Sequence, residues 1–401
     1  MHEIVIIGSG ISGLSFAHYC AGAGLHPVVL EKEPRIGGCF HSQTLPGDSS
    51  GFRFELGAHT GYNSYRRFIE ILKECTLGDR LLHREKVPFR MIVNEELRSI
   101  TSQIGFFELA RHLPRLLLLS KEGQTVESYY SRVLGQRNYE NVMRHLFNAV
   151  VCQEADEFPA DMLFKKRPKN KGIPRSFTLP SGLQEVTDAI ASDPRIEVLR
   201  EREVDQVVAY EDGFKIVAQG GKGEALETRH IAFATPPDEA ARILRQHSPE
   251  LSARLATIGL VKVETVGVAL ERESVSLDPL AGIVTRGNDF YSVVSSDTVA
   301  NDRYRGFAFH FKPGQLDSTG RRERICQVLG IDANRLKQIV EKSNSVPSPR
   351  LGHDQLIGNI DALIAGKGIF LTGNYFQGVS IEDCVSRSHD EFSRLLAQRE
   401  S

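Results

Sequence analysis

The apolar and polar positions of this chain change period several times, and each change marks an element. Glu3 to Ile7 is an apolar, β-branched run, followed by Gly8-Ser9-Gly10-Ile11-Ser12-Gly13-Leu14 and a helix-compatible stretch to Gly24. Strand, glycine turn and helix are therefore predicted in that order. A second strand is predicted from Pro27 to Leu30, ending at the acid Glu31. Phe52 to His59 alternates like a short strand and stops near Gly57, a residue that lets the backbone run close to a flat ligand.

From Tyr65 to about Phe164 the spacing is mostly helical, as in Phe68-Ile69-Ile71-Leu72 and Val133-Leu134, with a hairpin predicted around Asn94-Glu95-Glu96. Within it, Ile104 to Leu119 reads as an amphipathic helix broken at Pro114. Its apolar side either packs in the substrate region or touches lipid. Lys165 to Arg175 carries six cations and two prolines and is expected to be an exposed, solvated loop. A helix to Ala191, a strand pattern from Ile196 through Val208 and a buried strand at His230 to Ala234 follow. Alternation dominates from Val261 to Phe311, which predicts a sheet. Gly368 to Tyr375 reads as a strand ending in a glycine turn, and Gly378 to Cys384 leads into a helix.

The opening unit carries the first chemistry. In Gly8-x-Gly10-x-x-Gly13 the first glycine permits the tight turn, the second lets a pyrophosphate approach, and the third allows close helix-to-strand packing. The helix start offers unpaired N–H groups and a positive dipole end to the phosphates. Glu31 stands where an acid bonds a ribose 2′-hydroxyl and repels a 2′-phosphate. A dinucleotide is implied.

Composition narrows the picture. With 401 residues the chain exceeds one core, so two structural regions are expected. Its 49 basic and 51 acidic side chains leave a net charge of −2, which gives no reason to expect a nucleic-acid partner. Six scattered cysteines form no CxxC pair and no metal-type cluster, so free thiols, no bound metal and a cytoplasmic location are expected. The opening residues pass directly into strand pattern, leaving no room for a leader. No apolar run reaches membrane-spanning length.

Two motifs carry a family resemblance. Glu31 to Ser42, with the pair Gly37-Gly38, resembles the extended FAD-diphosphate motif of amine-oxidase-type flavoproteins. Gly373-Asn374-Tyr375-Phe376-Gln377-Gly378-Val379-Ser380-Ile381-Glu382-Asp383-Cys384 resembles the ending of the protoporphyrinogen oxidase family, within the flavin amine oxidase and phytoene desaturase-like superfamily. Phe54-Glu55-Leu56-Gly57, Ser181-Gly182-Leu183-Gln184 and Pro347 through His353 match along the rest of the chain.

The resemblance implies an α/β and α+β architecture: a Rossmann-like FAD-binding domain of amine oxidase type with an inserted substrate domain of mixed sheet and helices. It places residues 1–65, 176–250 and 345–401 in the FAD-binding domain, with a helical insertion at 66–175 and a β-rich insertion at 251–344 that roofs the flavin. FAD would be bound non-covalently. Gly8, Gly10, Ser12, Gly13, Glu31, Lys32, Gly37 and Gly38 would hold its ADP half, and Val204 would meet the adenine through its backbone. Gly57, Ala58, Ala234, Gly373, Asn374, Gly378, Val379 and Ser380 would lie along the ribityl chain and ring. His59 and Tyr375 are the flavin-proximal catalytic candidates, and Arg90 would pair with a substrate carboxylate.

The implied activity is dehydrogenation of a small-molecule substrate by hydride transfer to FAD, with oxygen or a quinone as acceptor. Protoporphyrinogen or coproporphyrinogen is the implied substrate, in haem biosynthesis. Ala58-His59-Thr60 departs from the family's proline-containing sequence, and the chain is short and lacks tryptophan. An amine, amino-acid or specialised-metabolite oxidase is therefore a second reading, and a binding protein of Rab-escort or GDI type a third. The reading leaves room for a homodimer and for peripheral membrane contact.

Overall fold

The computed structural model describes residues 1–48, 50–219 and 225–400. Its first sheet runs in the order Glu197–Leu199, Val28–Leu30, His2–Ile7, Leu226–Phe233, Gly213–Gln219, Glu203–Tyr210, and Ile369–Leu371 also pairs with Leu226–Phe233. Parallel pairing joins 197–199 to 28–30, 28–30 to 2–7, 2–7 to 226–233, and 226–233 to 369–371. Helices cover both faces, as buried parallel strands require. On one side Ile11–Gly22 packs with Arg66–Glu74, Gln184–Ala191 and Ile381–Glu400 around Leu14, Phe68, Val186 and Val385. On the other side Pro237–Leu244, Pro249–Ala256 and His353–Ile364 enclose Val5, Phe233, Leu251 and Ile360.

The second sheet is ordered Leu336–Pro347, Leu260–Glu271, Tyr304–Phe311, Phe290–Ser295, Gly282–Thr285, Phe89–Val93, Glu96–Ser99. Alternation sorts its side chains into two faces. Val266, Val268, Ile283, Val293, Phe307 and Phe309 share a core with Ile325, Val328 and Leu329 of the helix Ser318–Leu329. Met91 and Val284 point the other way, toward Val142 and Leu146 of the helical insertion. On that same side Gly267 and Gly306 admit the rings of the strand Arg53–Glu55 and its neighbours: Phe54 lies against both.

Three expectations change. The helix Arg66–Glu74 sits in the nucleotide-side core, because Phe68, Ile69, Ile71 and Leu72 pack there, so an insertion does not begin at residue 66. The strand Leu336–Pro347 pairs along its length with Leu260–Glu271, so a boundary after residue 344 would cut it. The chain at 106–118 does break at Pro114, into Phe106–His112 and Leu113–Leu117, yet three of its large apolar side chains face solvent: Phe107, Leu117 and Leu118 are 85%, 89% and 81% exposed. The hairpin predicted around Asn94 to Glu96 is present. No helix among the described residues is long and apolar enough to cross a membrane.

Candidate functional site

The glycine turn after His2–Ile7 forms a cradle that leaves room for phosphate. A methyl group on Gly13 would collide with the carbonyl oxygen of Gly8, so the helix can approach the strand only with glycine there. At Gly10 a methyl group would meet nothing within 4 Å. Gly10 is also the N-cap of Ile11–Gly22, and no side chain caps that end. Its positive end is thus presented to a ligand rather than satisfied internally.

Glu31, 9% exposed, closes the cradle. Its carboxylate accepts the Ser9 N–H at 3.0 Å, the Ser9 hydroxyl at 2.5 Å and the Glu33 N–H at 2.9 Å. Gly37 N–H donates to the Ser9 carbonyl at 2.9 Å, drawing Gly37-Gly38 across the turn. Ala234 N–H donates to the Ile7 carbonyl at 2.8 Å and keeps that residue against Gly8. Ser12 is buried, its carbonyl accepting from Ser15 and Ser388. Lys32 is exposed. Val204 is buried, and its carbonyl accepts from Arg242 at 2.8 Å.

Sequence reasoning missed two cations here. Arg35 holds the Gly37-Gly38 turn by donating to the carbonyls of Ile36, Phe40 and Gly38 at 2.6, 2.8 and 2.7 Å. Lys342 reaches the Gly38 carbonyl from the second sheet at 3.0 Å. Arg35 is adjacent in sequence to a motif and was findable. Lys342 was not, because only the fold brings it there.

Beyond the cradle, residues 56–58 run beside 39–41: Leu56 N–H donates to the His41 carbonyl and Ala58 N–H to that of Cys39, both at 2.9 Å. Gly57 lies between them. Glu55 accepts from the Ser42 hydroxyl at 2.7 Å and from Leu183 N–H at 3.0 Å, tying Ser181-Gly182-Leu183-Gln184 to this wall.

His59 then meets the second sheet. Burial, with Arg84 and His310 adding positive potential, lowers its pKa to about 3. Its Nδ1 is 2.7 Å from the Thr60 hydroxyl, and its carbonyl accepts from Arg84 at 2.7 Å. His310, on Tyr304–Phe311, is pulled down to about 4 by burial and has Nδ1 3.0 Å from the Thr265 hydroxyl. Both imidazoles are neutral at physiological pH. Each keeps Nε2 free of the threonine bond. In the sequence His310 was legible only as one position of an alternating strand.

Two candidate residues face elsewhere. Arg90 pairs laterally with Ile283, so the two side chains share a face. Ile283 is in the core against Ser318–Leu329. Arg90 therefore points away from Met91 and from the side of the sheet that carries His310. Tyr375 is 1% exposed and packed with Phe376, Val5 and Phe233 in the core behind the first sheet, its hydroxyl without a partner. It is a packing residue, not one facing the cleft.

Thr372 N–H donates to the Phe233 carbonyl at 2.9 Å, which brings Gly373 and half-buried Asn374 to the ends of the parallel strands. Gly378 is buried, and Val379 packs against the insertion core of Val126, Tyr139 and Phe147. Ser380 and Asp383 cap Ile381–Glu400 reciprocally: Asp383 N–H donates to Ser380 Oγ at 3.2 Å, and Asp383 Oδ2 accepts Ser380 N–H at 3.2 Å. The basic loop is not simply solvated, as expected from its sequence. Lys165 and Arg167 reach Asp383 at 3.2 and 2.6 Å.

The open cradle at Gly10, the uncapped helix end and the buried acid at Glu31 fit a dinucleotide. The backbone of Gly37 to His41, with Leu56 to Ala58 hydrogen-bonded beside it, fits an extended second half such as a ribityl-flavin. The comparisons agree. A family model described as NAD(P)-binding Rossmann-like domain matches residues 6–75. Coproporphyrinogen III oxidase of Bacillus subtilis (strain 168) is 22% identical, over 98% of both chains. A crystal structure of a putative protoporphyrinogen oxidase from Exiguobacterium sp. 255-15 superposes with a TM-score of 0.81 at 18% identity, covering 100% of this chain and 99% of that one. A mutant of putrescine oxidase, from a structure-based redesign of its cofactor binding, superposes with a TM-score of 0.71 at 16% identity, covering 99% of each.

Fold, cradle and sequence are similar to those of FAD-dependent oxidoreductases of the amine oxidase superfamily. Within it the chain is similar, from end to end, to porphyrinogen oxidases.

Proposed function

We propose that this chain binds FAD non-covalently and dehydrogenates a porphyrinogen. The observation that carries the reading is the match to a coproporphyrinogen oxidase over 98% of both chains. When bound, FAD would accept the hydride and pass the electrons on to oxygen or a quinone. This chain's own residues do the rest. Gly8 to Gly13 and Glu31 bind, Gly37, Gly38, Gly57, Ala58 and Gly373 to Ser380 orient, and the second sheet excludes water. His59 and His310, neutral and with one ring nitrogen each free of threonine, are suited to orient the substrate by hydrogen bonding rather than to store a proton. Cys384 is buried, its thiol pushed up to about 12, which supports non-covalent binding.

The test is anaerobic mixing of the FAD-loaded protein with coproporphyrinogen III or protoporphyrinogen IX. Bleaching of the flavin, followed by porphyrin fluorescence on admitting air, is expected. A flavin that stays oxidised beside both substrates overturns the reading. Denaturation should release the flavin into the supernatant.

The face taken by Arg90 favours a second reading. Without that guanidinium the site loses the partner implied for a tetrapyrrole carboxylate, which suits an amine or another less anionic metabolite. Bleaching by such a compound and by neither porphyrinogen would select it. A protein that cannot be reconstituted with FAD would select the escort-type binding reading.

The ridge at 106–118 supports peripheral contact with an anionic membrane by an otherwise cytoplasmic protein. Two of its polar side chains bond to the neighbouring helices: Glu108 accepts the N–H groups of Arg137 and Asn138, both at 3.1 Å, and Arg115 donates to the Arg132 carbonyl at 3.2 Å. Phe107, Leu117 and Leu118 face outward beside the exposed Arg111 and Arg115.

A further inference from the structure

The helix Ile381–Glu400 begins where the resemblance puts the flavin, and its first turn holds two acids, Glu382 and Asp383. Carboxylates there neutralise the positive end of the helix and oppose any negative charge arriving beside it. The structure answers each differently. Glu382, 5% exposed, is turned away and caps another helix, accepting Arg67 N–H at 3.0 Å and Phe68 N–H at 3.2 Å.

Asp383 stays at the cap, and two cations from a loop more than two hundred residues earlier close on it. Arg167 donates to Oδ1 at 2.6 Å and to Ser380 Oγ at 3.3 Å. Lys165 donates to the same carboxylate oxygen at 3.2 Å and also to the Gln377 carbonyl. The Arg167 guanidinium lies over the Tyr65 ring, 5.8 Å from its centre. Asp383 is 6% exposed at its side chain, and Arg167 and Lys165 are 20% and 32% exposed, so screening by water is reduced. One carboxylate is matched by two cations. The two cations outnumber the one carboxylate that stays at the cap beside Gly378, Val379 and Ser380, while Glu382, which also feels Arg167, is committed to the Arg67 and Phe68 N–H groups.

We propose that Lys165 and Arg167 are positioning residues for the flavin. They hold Gln377 to Asp383 in place and keep this helix end electropositive, so that the negative charge of the reduced flavin is favoured over the oxidised form. The inference rests on the reading that Gly378 to Ser380 faces the flavin ring. It goes beyond that reading in assigning the electrostatics of the site to a loop whose sequence suggests solvation or contact with an anionic substrate or lipid head group.

The test is the two-electron midpoint potential of the FAD-loaded protein, measured by equilibration with redox dyes and needing no substrate. Arg167→Gln should shift the reduction equilibrium about tenfold toward oxidised flavin, about 30 mV lower for a two-electron couple. Arg167→Lys should restore most of the shift. Asp383→Asn keeps a capping side chain but removes the negative charge, so the potential should rise. A purely structural loop would instead move both variants the same way, or neither by a third of that amount, and either result overturns the proposal. If Arg167→Gln takes up no flavin, the sign of the Asp383→Asn shift decides. Expected shifts in a protein that leaves porphyrinogens untouched would overturn the substrate and leave this inference standing. Failure of the unaltered chain to bind FAD would overturn both.

Discussion

A single methyl group is enough to test the cradle. Gly13→Ala would place a carbon against the Gly8 carbonyl and within 3.1 Å of Ala234 Cβ, with backbone on one side and strand on the other. Overpacking of this kind costs about 1–3 kcal/mol. A lower urea midpoint together with weaker FAD binding in a flavin titration is the expected outcome. At the same scale, His59 and His310 make a prediction about acid. Their folded pKa values are about 3 and about 4 against an ordinary 6.5. Above 6.5 both the folded and the unfolded chain are neutral at these positions. Below it the unfolded chain takes up protons that the folded chain refuses, so stability falls progressively from 6.5 toward those values. Melting temperatures recorded across that range should decline, and His59→Gln with His310→Gln should flatten part of the decline. An unchanged slope in the double variant would assign the acid sensitivity to other groups. The glycines and Glu31 were legible because their roles follow from spacing along a few residues. The histidines were not, since nothing local says that position 59 comes within electrostatic reach of position 310.

Elements show the same division between what is local and what is not. The break at Pro114 was readable, because proline ends a helical period wherever it falls. Which side of the broken helix faces out was not, because periodicity predicts that a face exists and not what covers it. Replacing Phe107, Leu117 and Leu118 with serine should leave the unfolding free energy within about 0.5 kcal/mol, as for other exposed positions. The same variant should lose co-sedimentation with vesicles containing anionic phospholipid. Wild-type protein that stays in the supernatant with those vesicles would count against membrane contact. Arg90 illustrates the harder case. Its strand was expected, but the face it takes is set by the register with Gly282–Thr285, far along the chain, and a slip of one residue would reverse it.

At the level of the whole molecule, the length of the chain led to the expectation of two structural regions, and the described residues form two seven-stranded sheets. The boundaries were less legible, because helices such as Arg66–Glu74 join a core by packing rather than by sequence adjacency. The first sheet also makes a strong demand on connectivity. Its strand Leu226–Phe233 lies between His2–Ile7 and Ile369–Leu371, and Ile381–Glu400 packs on Ile11–Gly22. A chain stopped after residue 366 would expose that strand edge and the apolar face of Ile11–Gly22. It should purify, if at all, as aggregate without flavin absorbance, whereas a soluble yellow product would show that the cradle closes without these segments.

That order of strands also sets a clock. At roughly 5–20 residues per second, about 20–70 s separate the emergence of the first strand from that of the last one the sheet takes in. Throughout that interval the nascent chain carries an unfinished parallel sheet, an aggregation hazard for as long as its edge is open. A cofactor that needs this sheet completed would be captured only after Ile369–Leu371 has emerged, so the supply of free cofactor and of chaperones from that point on would govern how much of the protein matures.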